Sequence, residues 1–179
     1  TLVEQAEIGG TCLNWGCIPS KALLKSAESF QAALHSEVFG FSCEEIKVDF
    51  EKVMGRSRKV ANQMGGGIEF LFKKNKVDYV LGSGQILEPG KVRVTDSSGQ
   101  QNVLEAEHIL VATGCKTRAF PDLPFNGRSV VGSSEAMIME KQPEDIVIIG
   151  AGAIGIEFAY FYNAFGTKVT VVEMMPNIL

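Results

Sequence analysis

Residues 147–173, VIIGAGAIGIEFAYFYNAFGTKVTVVE, carry three glycines at G-x-G-x-x-G spacing between an apolar run and a helical one. The spacing alone is a weak signal, and its setting makes it strong. Ile146–Ile149 reads as a strand, Ala153–Phe165 as a helix ended by Gly166, and Lys168–Glu173 as a second strand. Glu173 closes that strand 18 residues after the last glycine. Gly150 permits the tight turn, Gly152 lets the backbone approach a pyrophosphate, and Gly155 lets the helix lie close on the strand. The first helical N–H groups and the helix dipole then hold phosphate charge. Glu173 can accept hydrogen bonds from both ribose hydroxyls, and its charge repels a 2′-phosphate, which favours NAD over NADP. Met174-Met175-Pro176 follows, with no arginine to welcome that phosphate.

The same acidic strand end occurs at the start of the chain, where Leu2–Glu4 (LVE) resembles Val171–Glu173 (VVE). Both read as the second strand of a dinucleotide-binding unit. Beyond Gly9-Gly10 a helical pattern runs from about Asn14 to Leu34, with Ala22, Leu23, Ala27, Phe30 and Leu34 on its apolar face. A second helix is expected over Phe50–Lys74, with a kink or break at Gly65-Gly66-Gly67. No strand precedes that triplet and no Lys-Ser/Thr follows it, so it is not a phosphate loop. Short strands are expected at Asp78–Leu81, Gln85–Leu87, Val92–Thr95 and Val103–Leu104, separated by glycine turns. His108–Ala112 reads as a buried strand ending in Thr113-Gly114. Pro121, Pro124, Gly127 and Pro143 mark a connection between domains, placing a first domain over 1–142 and a second over 143–179.

Composition narrows the function. Forty-five per cent hydrophobic and 21% charged residues suit a soluble globular chain of 179 residues. A net charge of −4 argues against a nucleic-acid or anionic-membrane surface. The densest basic run, Lys73-Lys74-Asn75-Lys76, reads as a solvated helix end. No apolar run approaches the roughly 18 residues of a membrane span. Residues 1–8 lack the basic start of a secretory signal.

Four cysteines are too few for a disulfide scaffold. Two of them, Cys12 and Cys17, lie five apart in GGTCLNWGCIPSK, residues 9–21. A zinc site needs four grouped ligands, whereas Cys43, Cys115, His35 and His108 are scattered, so no metal is expected. Positions five apart on a regular helix are about 140° out of phase, so a Cys12–Cys17 disulfide needs a distorted turn. Gly16 and Pro19 supply one. A small, strained loop stabilises little and raises the potential, which suits a bond meant to cycle. The helix start favours a thiolate at Cys17, and Lys21, four residues on, adds positive charge on the same face.

These motifs together resemble the class I pyridine nucleotide-disulfide oxidoreductases, the flavin disulfide reductases. GGTCLNWGCIPSKALL matches their redox-active segment, GSGQILEPGKVRV their β-meander, ILVATG their closing strand, and IVIIGAGAIGIEFA…VTVVE the start of their NAD domain. The likeness runs along essentially the whole chain. It implies an α/β fold: a partial FAD-binding Rossmann-like domain with β-meander, followed by the start of an NAD-binding Rossmann-like domain. Pro19-Ser20-Lys21-Ala22 and Glu173 favour the NAD-linked branch that oxidises dihydrolipoamide to lipoamide. A mercuric or other small-disulfide reductase and a non-catalytic nucleotide-binding redox module are the alternatives.

The resemblance also implies roles. Cys12 would exchange disulfides with the substrate, and Cys17 would lie against the flavin. Lys21 would sit near the flavin, paired with Glu157. Glu4 would bind the adenosine ribose of FAD, Gly10 and Thr11 its phosphates, and Gly84, Thr113 and Gly114 its other side. Gly150, Gly152, Gly155 and Glu173 would hold NAD. The partners implied are dihydrolipoamide on a lipoyl-bearing protein of a 2-oxo acid dehydrogenase or glycine cleavage complex, and a second copy in a homodimer. The compartment implied is the cytoplasm, or the mitochondrial matrix in a eukaryote. A first FAD glycine loop, a dimerisation domain and its His-Glu acid/base pair would lie outside these residues, so the chain reads as a fragment, inactive alone.

Overall fold

The computed structural model describes residues 1–178. In chain order the elements are β1 (Leu2–Glu4), α1 (Gly10–Trp15), α2 (Cys17–Leu34), α3 (Phe50–Lys74), β2 (Tyr79–Leu81), β3 (Ser83–Glu88), β4 (Lys91–Thr95), β5 (Gln101–Glu105), α4 (Ser133–Ala136), β6 (Asp145–Ile149), α5 (Ala153–Ala164) and β7 (Lys168–Val172). A 3-10 turn over Ser36–Phe39 follows α2. The strands form a parallel pair β1–β2, an antiparallel meander β3–β4–β5, and a second parallel pair β6–β7. Parallel pairs need a crossover, and here α1 to α3 link the first pair while α5 links the second.

Local chemistry explains the helix ends. Asp49 caps α3 by accepting from the Lys52 N–H at 3.0 Å, and Lys73 and Lys74 complement the dipole in its last turn. At the end of α5, Gly166 takes φ 97°. Its N–H donates to Asn163 O at 2.9 Å, and the Thr167 N–H donates to Tyr162 O at 3.1 Å. Both bonds satisfy carbonyls that the helix end would otherwise leave open.

One apolar core joins the two ends of the chain. Leu23 and Ala27 of α2 and Met54 of α3 meet Ala136 and Met137, and Phe158, Phe161, Tyr162 and Ala164 of α5. Phe50 lies against Phe161, Tyr162 and Phe165, with ring centroids 6.1 to 6.3 Å apart. The buried Tyr162 hydroxyl donates to Ala136 O at 2.7 Å, and burial pushes its ionisation far up. It therefore stays neutral.

Three sequence expectations need correction. The helix expected from Asn14 starts at Gly10 and is cut at Gly16 into α1 and α2. The triplet Gly65-Gly66-Gly67 does not break α3, which runs uninterrupted through it. Each of those glycines faces open space, so no neighbouring side chain forces a bend, and the caps at both ends together with the buried Met54, Ser57 and Ala61 carry the helix through. Finally, His108–Ala112 is neither a strand nor buried: Leu110 is 91% exposed. A buried strand needs a ladder partner on its edge, and among the described residues none lies beside it.

Candidate active site

The turn between β6 and α5 is built as its glycines demand. Gly150 has φ 106°, in the left-handed region. A Cβ on Gly155 would fall 2.1 Å from Gly150 O, so no other residue fits there. A Cβ on Gly152 would meet nothing within 4 Å: the space beside it is open. That combination, a loop closed against its own helix and open toward solvent, fits a pyrophosphate at the start of α5.

Glu173, just past β7, lies at the mouth of this turn. Its carboxylate accepts from the Ala151 N–H at 2.7 Å and from the Met175 N–H at 2.8 Å. These backbone donors hold its carboxyl below the usual carboxylate range, so it is ionised at neutral pH. Glu4 repeats the pattern at the end of β1, accepting from the Ala6 N–H at 2.9 Å. The likeness of LVE to VVE is thus a likeness of geometry as well as of letters.

Around the first acidic end, Gly10 has φ 67° with open space at its Cβ position, and Gly114 has φ 72°. A Cβ on Gly114 would fall 3.5 Å from Thr11 Oγ1, so the Thr113-Gly114 turn reaches the start of α1. Gly84 comes up against Val3, next to Glu4. Gly84 thus flanks β1, and Gly114 meets Thr11 beside Gly10 at the start of α1, two places with open backbone that fit a second dinucleotide.

Cys12 lies in α1 and Cys17 opens α2, with the chain broken between them at Gly16 (φ −144°, ψ −122°). The break is tight: a Cβ on Gly16 would fall 2.9 Å from Thr11 O and 3.0 Å from Cys12 Cα. Ser20 Oγ donates to Gly16 O at 2.8 Å. Asn14, expected from the sequence only as a helix start, donates through Nδ2 to Ile8 O at 3.0 Å and Gly10 O at 3.1 Å. It ties the Gly9-Gly10 turn to α1. Its amide on a helix beside a glycine pair was the available signal.

Both cysteines are free and exposed. The sequence suggested a lowered Cys17 pKa, and the structure gives the opposite direction. The Cys12 side chain beside it, and then desolvation, raise the Cys17 thiol, and the opposing pull of Lys21 is the smaller effect. The Lys21 ammonium is itself paired with the Glu157 carboxylate, the pairing that the family resemblance implied.

That ion pair joins α2 to α5 near their N-terminal ends. Near their C-terminal ends, Gln31 Nε2 donates to Ala164 O at 2.6 Å, and Phe30 stacks on Phe165 at 5.1 Å. The two helices thus run the same way, and their N-termini, one with the dithiol and one with the glycine turn, face the same side.

A dithiol placed between two dinucleotide-type turns defines the architecture of a disulfide oxidoreductase. The chain belongs to the pyridine nucleotide-disulphide oxidoreductase family, whose profile matches residues 1–179. It is 44% identical over 178 residues to a dihydrolipoyl dehydrogenase of Chlorobaculum parvum, covering 99% of this chain and 38% of that protein. It is 41% identical over 186 residues to a dihydrolipoyl dehydrogenase of Bacillus subtilis, covering 99% of this chain and 39% of that one. The fold superposes on LpdA of Mycobacterium tuberculosis with a TM-score of 0.91 at 24% identity, over 99% of this chain and 39% of that one. The chain therefore spans less than half the length of these relatives.

Proposed function

We propose that the protein carrying this chain oxidises dihydrolipoamide to lipoamide, with NAD⁺ as the final acceptor. The observation that supports this reading most is the pair Cys12 and Cys17, held across the Gly16 break beside the Lys21–Glu157 link to the nucleotide helix.

The chemistry follows from disulfide exchange. In the oxidised state one thiolate of the substrate attacks Cys12 Sγ, forming a mixed disulfide and breaking the Cys12–Cys17 bond. Cys17 is the leaving thiolate at the start of α2, where its own backbone N–H and Lys21 lower its pKa and offset in part the raising effect of the neighbouring Cys12. The second substrate sulfur then attacks the first, releasing lipoamide and the Cys12 thiol. Two electrons now reside in the cysteine pair. Glu4, Gly10, Thr11, Gly84, Thr113 and Gly114 would hold FAD, which when bound would supply the two-electron relay from that pair to the nicotinamide. Gly150, Gly152 and Gly155 would hold the NAD pyrophosphate, and the ionised Glu173 would orient the ribose and disfavour a 2′-phosphate. Lys21 and Glu157 fix the dithiol helix against the nucleotide helix, joining a partial FAD-binding domain over 1–142 to the N-terminal part of an NAD-binding domain over 143–179.

The substrate is presented on a lipoyl-bearing protein of a 2-oxo acid dehydrogenase or glycine cleavage complex, and the active form is a homodimer. The place of action is the cytoplasm or the mitochondrial matrix. Among the described residues no helix is long and apolar enough to cross a membrane.

The test is NADH formation by the full-length protein, with dihydrolipoamide and NAD⁺ supplied. The reading expects turnover that Cys17→Ser abolishes, and a preference for NAD⁺ over NADP⁺. Turnover that survives Cys17→Ser would overturn it.

A further inference from the structure

The Gly16 break leaves the angle between α1 and α2 to be fixed by something else, and α3 supplies two arginines that do so. Arg56 Nη1 donates to Ala22 O at 2.7 Å and lies 3.3 Å from Ser26 Oγ, gripping α2. Arg58 Nη2 donates to Asn14 O, gripping the last turn of α1. The Arg58 guanidinium also lies over the Trp15 ring, with Cζ 4.4 Å from its centroid. Trp15 is held from its far edge, where Nε1 donates to Glu7 Oε2 at 2.5 Å.

We propose that Arg58 is a positioning residue for the Cys12–Cys17 couple: it holds α1 against α3 so that Cys12 stays within reach of Cys17 across the break. The inference rests on the functional reading above. A guanidinium suits the task because it can lie flat on the indole while its in-plane N–H groups donate to a carbonyl, a fixed planar geometry that a tetrahedral ammonium lacks. A cation is also favoured at the C-terminal end of α1. Packing alone does not account for the residue. Arg58 Nη1 is buried with no hydrogen-bond partner among the described residues, an arrangement that an apolar side chain in the same place would avoid. The position is held despite that penalty, and what it holds is the helix bearing Cys12.

Two sulfurs at a fixed separation favour the disulfide through a high effective concentration, so loosening α1 shifts the couple toward the dithiol. The measurement uses the full-length protein with its cofactors, equilibrated against mixtures of reduced and oxidised dithiothreitol. Reduced dithiothreitol gives two electrons and two protons to the Cys12–Cys17 disulfide and closes to its own cyclic disulfide. The fraction of each state is read by alkylation and mass spectrometry. The proteins compared are the wild type, Arg58→Lys, Arg58→Gln, and Tyr162→Phe, which removes a buried hydrogen bond in the core away from the cysteines.

Both Arg58 variants are expected to lower the equilibrium constant for disulfide formation about tenfold, a potential about 30 mV less negative, while Tyr162→Phe leaves it unchanged. Four outcomes overturn the inference: no shift in either Arg58 variant, a shift to more negative potential, an equal shift in Tyr162→Phe, or a shift in Arg58→Gln alone. The last would mean that charge, which lysine keeps, does the work. If Arg58→Gln does not fold, Arg58→Lys decides. A wild-type pair that never forms a disulfide sinks the functional reading too, whereas a cycling wild type with unshifted variants sinks this inference alone.

Discussion

Gly152 and Gly155 stand three residues apart and are glycine for opposite reasons. At Gly155 a side chain collides with the turn itself, since its Cβ would sit 2.1 Å from Gly150 O. At Gly152 the same atom meets nothing, in a backbone conformation (φ −71°) open to any residue. Gly155→Ala is therefore expected to destabilise the fold by about 3 kcal/mol, the scale of a forced overpacking. Gly152→Ala is expected to change stability by less than about 0.5 kcal/mol, as at an ordinary surface site. It should still weaken NAD binding at least tenfold, because the methyl group occupies the phosphate's approach. Chemical denaturation and calorimetric NAD titration of the two variants check the contrast. Glu173 adds a pH signature. Its folded carboxyl titrates below its unfolded value of about 4.3, so its stabilising effect is fully present above that pH. The effect is lost as pH falls through the lower folded value. The melting-temperature gap between wild type and Glu173→Gln should be flat from pH 6 to 8 and close in the acid range. A gap that instead widens on acidification would contradict the assignment. The glycine order and the acidic strand end were legible in the sequence because each is a local backbone requirement. The raised Cys17 thiol was not, because it depends on how closely the Cys12 side chain lies across the Gly16 break and on local desolvation, whereas the Lys21–Glu157 pair that the resemblance implied is present.

At the scale of elements, the break at Gly16 matters more than either helix it separates. Gly16 and Pro19 announced a distorted turn, and the structure places that turn between the cysteines. Gly16→Ala would push against Thr11 O and Cys12 Cα, both backbone atoms that cannot swing aside. It is expected to slow closure of the Cys12–Cys17 disulfide about tenfold, followed by thiol loss after rapid oxidation, and to spare NAD binding at α5. Closure at the wild-type rate would show that the break does not set the cysteines' geometry. The elements misread from sequence share a cause. Helix continuity through Gly65-Gly66-Gly67 rests on the caps at both ends of α3 and on the buried Met54, Ser57 and Ala61 before the triplet. The apolar run at His108–Ala112 has the composition of a buried strand, but strand formation needs a neighbour, and periodicity cannot report whether one is present.

Across the whole molecule, the dithiol and the glycine turn face the same side because α2 and α5 run parallel through a shared core. No single motif contains that fact. The sequence supplied two motifs more than a hundred residues apart, and packing of Leu23 and Ala27 against Phe158, Phe161 and Tyr162 brought them together. The account stands on the claim that Cys12 and Cys17 form and break one bond as electrons pass from a dithiol toward NAD⁺. Its most direct test is alkylation of the full-length protein before and after one equivalent of dihydrolipoamide without NAD⁺, with labelled cysteines located by mass spectrometry. The account predicts that Cys12 and Cys17 are unlabelled and mutually linked before reduction and both labelled after it, while Cys43 and Cys115 are labelled throughout. Labelling of Cys12 and Cys17 that is complete before the substrate is added, and unchanged by it, would contradict the account.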